Sequence, residues 1–401
     1  MTGTAPRTGT KQAVRWSVVG LLMAFCFISH LNRISMSVAG DERIMKQYGI
    51  APEKMGMVYS AFLLVYTIFM IPGGLFIDRF GPRIALAVVG LGSAAFCMLT
   101  GAVGWMEASV VWFCLLVVRG TMGLVTVPLH PAAATAVGLW IPESKRNVVN
   151  GLITGAALLG IACTYKTFGS LIANLDWPRA FLVTGFLTAV VGIVWLIVSP
   201  RREERCDRTE TSEWGFLIRN RNVWLLTLSY AAIGYFQYLF FYWMHYYFDD
   251  VLHLGKQASL YYAGIPPLTM AVCMPIGGWL SDRSARRSMV PMAGMTLGAV
   301  LLGCGVLAKT PFWIVFWFSL ALGAVGAAEG AFWSTIVEAG GTFGGTAAAL
   351  MNTGGNGGGM LAPVITPYVS KWLGWPVGIA LGGVICLAGA MCWIGIRSER
   401  K

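Results

Sequence analysis

Apolar residues in this chain do not recur every second or every third to fourth position, as they do on a half-buried strand or helix. They run on unbroken for twenty positions at a time, and polar residues gather in short clusters between the runs. A hydrocarbon layer ~30 Å thick needs roughly 20 apolar residues per helix, so each run predicts a membrane-crossing helix. Twelve runs are read, at about 16–39, 56–77, 84–104, 109–138, 149–172, 180–198, 223–247, 258–280, 289–307, 311–335, 346–370 and 377–396. The first run lacks a small-residue cleavage site and is taken as a retained helix rather than a signal peptide. Lys and Arg collect in alternate loops, 19 on one side and 7 on the other. By the positive-inside rule both termini are expected in the cytoplasm.

The longest polar stretch, Pro200 to Asn222, holds six Arg and five acids and falls between runs six and seven. It divides the chain into an N-terminal tail (1–15), a first six-helix bundle (16–199), a cytoplasmic linker (200–222), a second bundle (223–396) and a C-terminal tail (397–401). Composition agrees with the pattern. Of 401 residues 56% are hydrophobic and 12% charged, about half the ~25% of a soluble domain. A disordered chain, a disulfide scaffold and an ordinary cytosolic enzyme are excluded. Fifty glycines suit helices that must pack closely without help from water. The nine cysteines are scattered and form no metal or disulfide pattern. The net charge of +11 is a topology signal rather than a nucleic-acid footprint.

Charge inside the runs is more informative. Three basic residues, Arg33, Arg119 and Lys166, and one acid, Glu329, fall well within apolar segments. Each costs ~2.5–3.5 kcal/mol at the centre of a membrane helix on insertion scales. Such residues need an interior, water-accessible place, and their balance of +2 favours an anion. The chain also repeats itself. Gly73-Gly74-Leu75-Phe76-Ile77-Asp78-Arg79 returns as Gly277-Gly278-Trp279-Leu280-Ser281-Asp282-Arg283 at an offset of 204. Leu175-Asp176-Trp177-Pro178 returns as Leu373-Gly374-Trp375-Pro376 at 198, and Asn150 as Asn352 at 202. Duplicated halves around a central site are the architecture of alternating-access carriers.

Gly74-x-Phe76-x-Asp78-Arg79-x-Gly81-x-Arg83 resembles the loop 2–3 signature of the major facilitator superfamily, and the resemblance extends over essentially the whole chain. In the second copy Ala285 stands where the glycine would be. Within the superfamily, the chain resembles the anion:cation symporters, which include sugar-acid, glutamate and sialic-acid carriers. The residues that carry this are His30-Leu31-Asn32-Arg33-Ile34-Ser35-Met36-Ser37-Val38-Ala39, Ser60-Ala61-Phe62 with Tyr66 and Pro72-Gly73-Gly74, Trp140-Ile141-Pro142-Glu143, Phe332-Trp333, and Asn352 and Asn356 with Pro363. The resemblance implies an all-α polytopic fold of twelve transmembrane helices in two pseudo-symmetric six-helix bundles. It also implies a gate at Gly74, Asp78, Arg79, Gly81, Arg83, Asp282 and Arg283, where charges at cytoplasmic helix ends pair with the opposite bundle.

The family's span-one arginine, here Arg33, contacts the substrate carboxylate, and a guanidinium suits that task. An interhelical lock is the alternative. His30 lies one turn away on the same polar face. Arg119 matches an arginine thought to couple protonation to conformation, against the alternative of a structural carbonyl clamp. Proton-coupled relatives carry acids just before the first arginine and two turns after the second, where this chain has Asn32 and Thr126. Glu329 lies 203 residues beyond Thr126, roughly its pseudo-symmetric mate, and is read as the replacement proton carrier or as a neutral interhelical hydrogen-bonding group. Lys166 either faces the cavity or snorkels outward. Tyr242 and His245, on a stripe with Tyr235 and Tyr238, are assigned to the cavity or the outer gate. Tyr66, Trp333, Asn352 and Asn356 match site-lining positions, with helix packing the alternative for the two asparagines. Ala156 and Ala157 replace polar residues that bind sugar hydroxyls in some relatives.

The expected function is a secondary transporter of a small organic anion, with proton symport in a bacterial-type inner membrane. The expected partners are that anion, a co-transported proton with sodium as an alternative, and the bilayer, for a monomeric protein. No enzyme activity, catalytic residue, cofactor, metal or nucleic acid is expected. Three alternatives stand beside this: a proton-independent exchanger or uniporter, a non-transporting membrane sensor, and an efflux carrier of hydrophobic compounds. The last is disfavoured because the Gly-Pro signature of drug/proton antiporters is missing from span five.

Overall fold

A computed structural model describes residues 16–200, 219–283, 288–341 and 344–396, without the side chains of residues 78, 143–148, 282, 283 and 345. Among these residues ten helices are long and apolar enough to cross a membrane, or eleven if one bent pair counts as a single span. They are α1 (Trp16–Tyr48), α2 (Pro52–Ile68 with Met70–Ile77, bent by 53°), α3 (Arg79–Trp105), α4 (Ala108–Trp140), α5 (Val149–Leu175), α6 (Trp177–Val198), α7 (Arg221–Val251), α8 (Lys256–Ser281), α9 (Met289–Leu307), α10 (Pro311–Gly340) and α12 (Trp375–Cys392). One further helix, α11 (Gly344–Leu373), has the length but is too rich in glycine and asparagine to pass on apolarity. With it, a helix occupies each of the twelve places expected from the hydrophobic pattern. The tails and most of the linker lie outside the described residues.

Packing repeats with the sequence. In the first half α1 lies on α5, α2 on α4 and α3 on α6; in the second α7 lies on α11, α8 on α10 and α9 on α12. The halves meet through α2 on α11, α5 on α8 and α1 on α7. One of the close crossings is α7 against α11, where a Cβ on Gly358 would meet the Ala231 carbonyl and one on Gly234 the Gly355 carbonyl. The glycine run of α11 is therefore a packing surface, which explains its low apolarity in a helix of the bundle.

Local irregularities fall where the sequence places them. Gly81 has φ 75° and ψ 165°, and kinks the chain in the first turn of α3. Asp176 (φ 70°) and Gly374 (φ 85°) share a left-handed conformation just before the two Trp-Pro helix starts. The internal repeat is thus repeated in backbone geometry, although only one copy uses the residue that suits it. Asp176 compensates in part by accepting a hydrogen bond from the Trp177 amide at 2.8 Å.

The two halves are sewn together at the end where α1 and α7 finish and α2 and α8 begin. Tyr165 of α5 donates to the Phe241 carbonyl at 2.8 Å, Ser60 of α2 to the Met360 carbonyl at 2.6 Å, and Lys371 of α11 pairs with Glu53 at 3.2 Å. Toward the other end, Thr353 lies 3.5 Å from the Met70 sulfur across the same interface.

Candidate functional site

Arg33 sits midway along α1 and is 8% exposed. Its guanidinium carbon lies 4.7 Å from the ring centre of Tyr238, 5.0 Å from Phe62 and 5.8 Å from Tyr66. Three rings from α2 and α7 hold a cation in place by their negative faces. They do not satisfy its N–H groups: Nε and Nη2 are buried with no hydrogen-bond partner. Leaving such donors unmade costs ~1–3 kcal/mol each, unless something supplies acceptors. Arg33 also borders a small cavity lined by Ser29, His30, Tyr66 and His130. A cation held in an aromatic cradle, with buried donors unspent, has the chemistry to bind an oxyanion.

Arg119 has a different job. Buried at 1% exposure, it donates through Nη1 to the Asn32 carbonyl at 3.3 Å and through Nη2 to the Arg33 carbonyl at 3.0 Å. It clamps the α1 backbone at the residue that carries the free guanidinium, and its own guanidinium carbon lies 5.6 Å from the centre of the Phe62 ring that Arg33 also contacts. The neutral residues at the two places where relatives carry acids are tied off locally. Asn32 donates to the Thr188 hydroxyl at 2.8 Å, and Thr126 donates to the Met122 carbonyl at 2.7 Å with Ser93 beside it at 3.2 Å.

Glu329 lies in the second half, on α10. Its Oε2 accepts from the Tyr230 hydroxyl at 2.8 Å and its Oε1 from the Gln237 amide at 2.6 Å, both on α7. Gln237 adjoins Tyr238, so one helix touches both the acid and the guanidinium. Trp333, one turn from Glu329, packs edge-on against Tyr230 at 5.9 Å and is otherwise exposed. Tyr242 continues the line outward, stacked between Tyr238 (5.9 Å) and Tyr59 (5.1 Å).

Several expected site residues are placed elsewhere. His245 is packed at the sewn end, its Nε2 3.6 Å from Glu42 Oε1, away from Arg33. Lys166 is exposed on α5, a placement that fits either of its two expected roles, cavity lining or snorkelling. Asn356 donates to the Asn352 carbonyl at 2.9 Å along its own helix. Among the gate residues, Gly74 faces open space and Arg79 is exposed over the Phe80 ring. Arg83 turns back on its own half: it donates to the Leu196 carbonyl at 2.8 Å and the Ser199 hydroxyl at 3.1 Å, capping the C-terminus of α6. The side chains of Asp78, Asp282 and Arg283 lie outside the described residues.

Two groups escaped the sequence reading. His130 lies against His30 with ring centres 5.2 Å apart, and His30 donates through Nδ1 to the Cys26 carbonyl at 2.9 Å. The signal was a histidine between Pro128 and Pro131, where α4 changes direction. The second group is Asp41 and Glu42, which read as loop residues just past the first run but are buried.

The sequence profile of the Major Facilitator Superfamily matches residues 21–343 and 268–401. A probable sulfoacetate transporter of Cupriavidus necator is 25% identical, over 96% of this chain and 94% of its own. A probable galactarate/D-glucarate transporter of Bacillus subtilis is 24% identical, over 97% of this chain and 92% of its own. The crystal structure of a bacterial homologue of the human lysosomal transporter Spinster superimposes with a TM-score of 0.80 at 14% identity, covering 98% of this chain and 100% of that one. Profile, relatives and fold coincide with a membrane carrier and with no enzyme. The chain belongs to the Major Facilitator Superfamily.

Proposed function

We propose that this protein carries a small organic anion, a carboxylate of the sugar-acid kind, across a bacterial inner membrane by alternating access and in symport with a proton. The observation that carries the reading is Arg33: a buried guanidinium in an aromatic cradle beside a small cavity, with Nε and Nη2 unpartnered. The relatives support it, since those named above are described as transporters of sulfoacetate and of galactarate and D-glucarate. In this reading the anion docks on Arg33 between the halves. Arg119 holds the α1 backbone so that the guanidinium keeps its aim. Glu329 carries the proton: once protonated it would donate to Gln237, whose amide can turn its oxygen to accept, and the change would be felt along α7. In this reading the end sewn by Tyr165, Ser60 and Lys371 is the outer one, both termini are cytoplasmic, and an inner gate forms around Asp78, Arg79, Asp282 and Arg283.

The neutral residues Asn32 and Thr126 favour a second reading, a proton-independent exchanger or uniporter built on the same anion site. The experiment begins with thermal stabilisation of the purified protein across sulfoacetate, galactarate, D-glucarate and a set of dicarboxylates, with Arg33→Ala as control. A ligand at 100 times its dissociation constant stabilises by ~2.7 kcal/mol. A hit lost in Arg33→Ala supports the anion site, and a flat panel from a folded protein counts against it. Uptake of the hit into proteoliposomes, with and without a pH gradient, then separates symport from exchange.

A further inference from the structure

The outer ends of α1 and α7 carry the same device. Each helix widens into a π turn, Gly40–Ile44 in one and Tyr247–Val251 in the other. Each turn bears two adjacent acids, Asp41-Glu42 and Asp249-Asp250, at an offset of 208. π turns inside helices often mark functional positions. The acids on α1 are taken into the seam between the halves: Asp41 is 0% and Glu42 8% exposed. Asp41 Oδ1 accepts from the Tyr59 hydroxyl at 3.1 Å, and its Oδ2 has no partner. Glu42 lies between His245 at 3.6 Å and Lys256 at 2.6 Å, while Lys46 reaches Asp250 at 2.8 Å. His245 is 1% exposed, and neither ring nitrogen has a hydrogen bond.

The groups that face this seam come from six helices. They are Asp41, Glu42 and Lys46 of α1, Tyr59 of α2 with Glu53 already paired to Lys371 of α11, Tyr165 of α5, Tyr242, His245, Tyr246, Asp249 and Asp250 of α7, and Lys256 of α8. Arg43, on the same turn as Asp41, is exposed. Outside the Glu53–Lys371 pair, four acids face two lysines. Three of the contacts, Glu42 to His245, Glu42 to Lys256 and Lys46 to Asp250, cross from one half to the other, so this seam must part for the outer end to open. A carboxylate with a bare oxygen is costly in a dry seam and cheap in water, whereas a protonated carboxyl is tolerated in both.

We propose that Asp41, with the Glu42–His245 contact beside it, is a proton-binding site of the outer seam, which takes up a proton when the seam closes and releases it when the seam opens. The site lies eight residues beyond Arg33, about 12 Å along the helix, and does not depend on Glu329 or on the anion reading. The closed state holds more protons than the open one, so lowering the pH favours closure and raising it favours opening.

The test is hydrogen–deuterium exchange of the ligand-free protein in nanodiscs, read on peptides covering Gly40–Ile44 and Tyr247–Val251 and corrected for intrinsic exchange. Between about pH 6 and about pH 8 the corrected exchange should rise about tenfold, as expected for a single linked proton over one or more pH units. Asp41→Asn should flatten the rise to less than about twofold. Tyr59→Phe, which removes the one hydrogen bond to the ionised carboxylate, should move the midpoint to higher pH, and it decides the matter if Asp41→Asn does not fold. Arg33→Ala removes a contact that also crosses between the halves, so it should shift exchange by the same factor at every pH and leave the rise from about pH 6 to about pH 8 as it is. An empty anion panel and a failed seam site are thus seen separately. A native profile without pH dependence overturns the proposal. So does an Asp41→Asn profile like the native one, or a pH-dependent rise that is lost in Arg33→Ala instead.

Discussion

Replacing Arg33 by methionine should make the empty protein more stable while abolishing its ligand response. The guanidinium gains from three aromatic faces, at 4.7, 5.0 and 5.8 Å. Together these are worth about 2 kcal/mol at a desolvated site. Against that stand the two unpartnered donors, Nε and Nη2, at ~1–3 kcal/mol each, and the residual cost of a buried charge without a counter-ion, several kcal/mol. Methionine fills similar space, keeps contact with the rings and carries none of these costs. The difference is a gain of about 1–4 kcal/mol, the range seen when buried ionic groups give way to packed apolar ones. At roughly 2 °C per kcal/mol for a large domain, the unliganded melting point should rise by several degrees. The assay is a thermal melt in one detergent with and without each acid of the panel. An Arg33→Met protein that melts well below the native one without ligand would refute the reasoning. It would mean that the guanidinium is already satisfied and serves as a lock between helices.

Glu329→Gln should keep a packed α7–α10 contact and preserve concentration-driven uptake or exchange in proteoliposomes, while accumulation driven by a pH gradient is lost; complete proton coupling in that variant would remove Glu329 from the mechanism. Lys166→Ala should change ligand affinity by less than about twofold if the lysine snorkels, since it then adds no direct contact to the site, and isothermal titration checks it. Gly374→Ala places a side chain at φ 85° and should cost about 1–2 kcal/mol in melts. Asp176→Gly at the mate position should be nearly neutral, because relief of φ 70° offsets the lost hydrogen bond to the Trp177 amide.

Long apolar runs placed the helices well, because membrane length and backbone satisfaction leave a chain few options. Arg33 and Glu329 were legible for the same reason: a charge in such a run demands an interior site. Position along a helix is not position in space, however. His245 shares a stripe with Tyr238 and Tyr242, yet two turns carry it from the Arg33 cradle to Glu42 at the sewn end. Arg83 belongs to a repeated gate motif, but the nearest open acceptors were the last carbonyls of α6, and it caps them. Asp41 and Glu42 were lost because a polar pair after an apolar run reads as a loop. Only the continuation of α1 through a π turn takes them into the seam. Lys166 could be decided neither way from sequence, since facing inward or outward is set by the rotation of α5.

Sorting the contacts by whether they cross between the halves limits how the sites can communicate. Tyr238 on Arg33, Tyr242 on Tyr59, Tyr165 on the Phe241 carbonyl and His245 on Glu42 all cross. Rocking the halves apart at the outer end must break them together. Tyr230 and Gln237 on Glu329 do not cross, because α7 and α10 belong to one half. Rigid rocking therefore leaves the Glu329 site intact in both states, and its proton cannot be gated by those contacts alone. In the proposed cycle, Glu329 can influence the anion only by changing the shape or rotation of α7 around Gln237 and Tyr238. Arg33 needs no such relay. An anion on its free donors neutralises the cation that Tyr238 of the other half is holding, and so alters a crossing contact directly. The crossing contacts of α7 named here run through the segment from Tyr238 to Asp250. In the proposed cycle, coupling between ion and substrate thus passes along that stretch of helix.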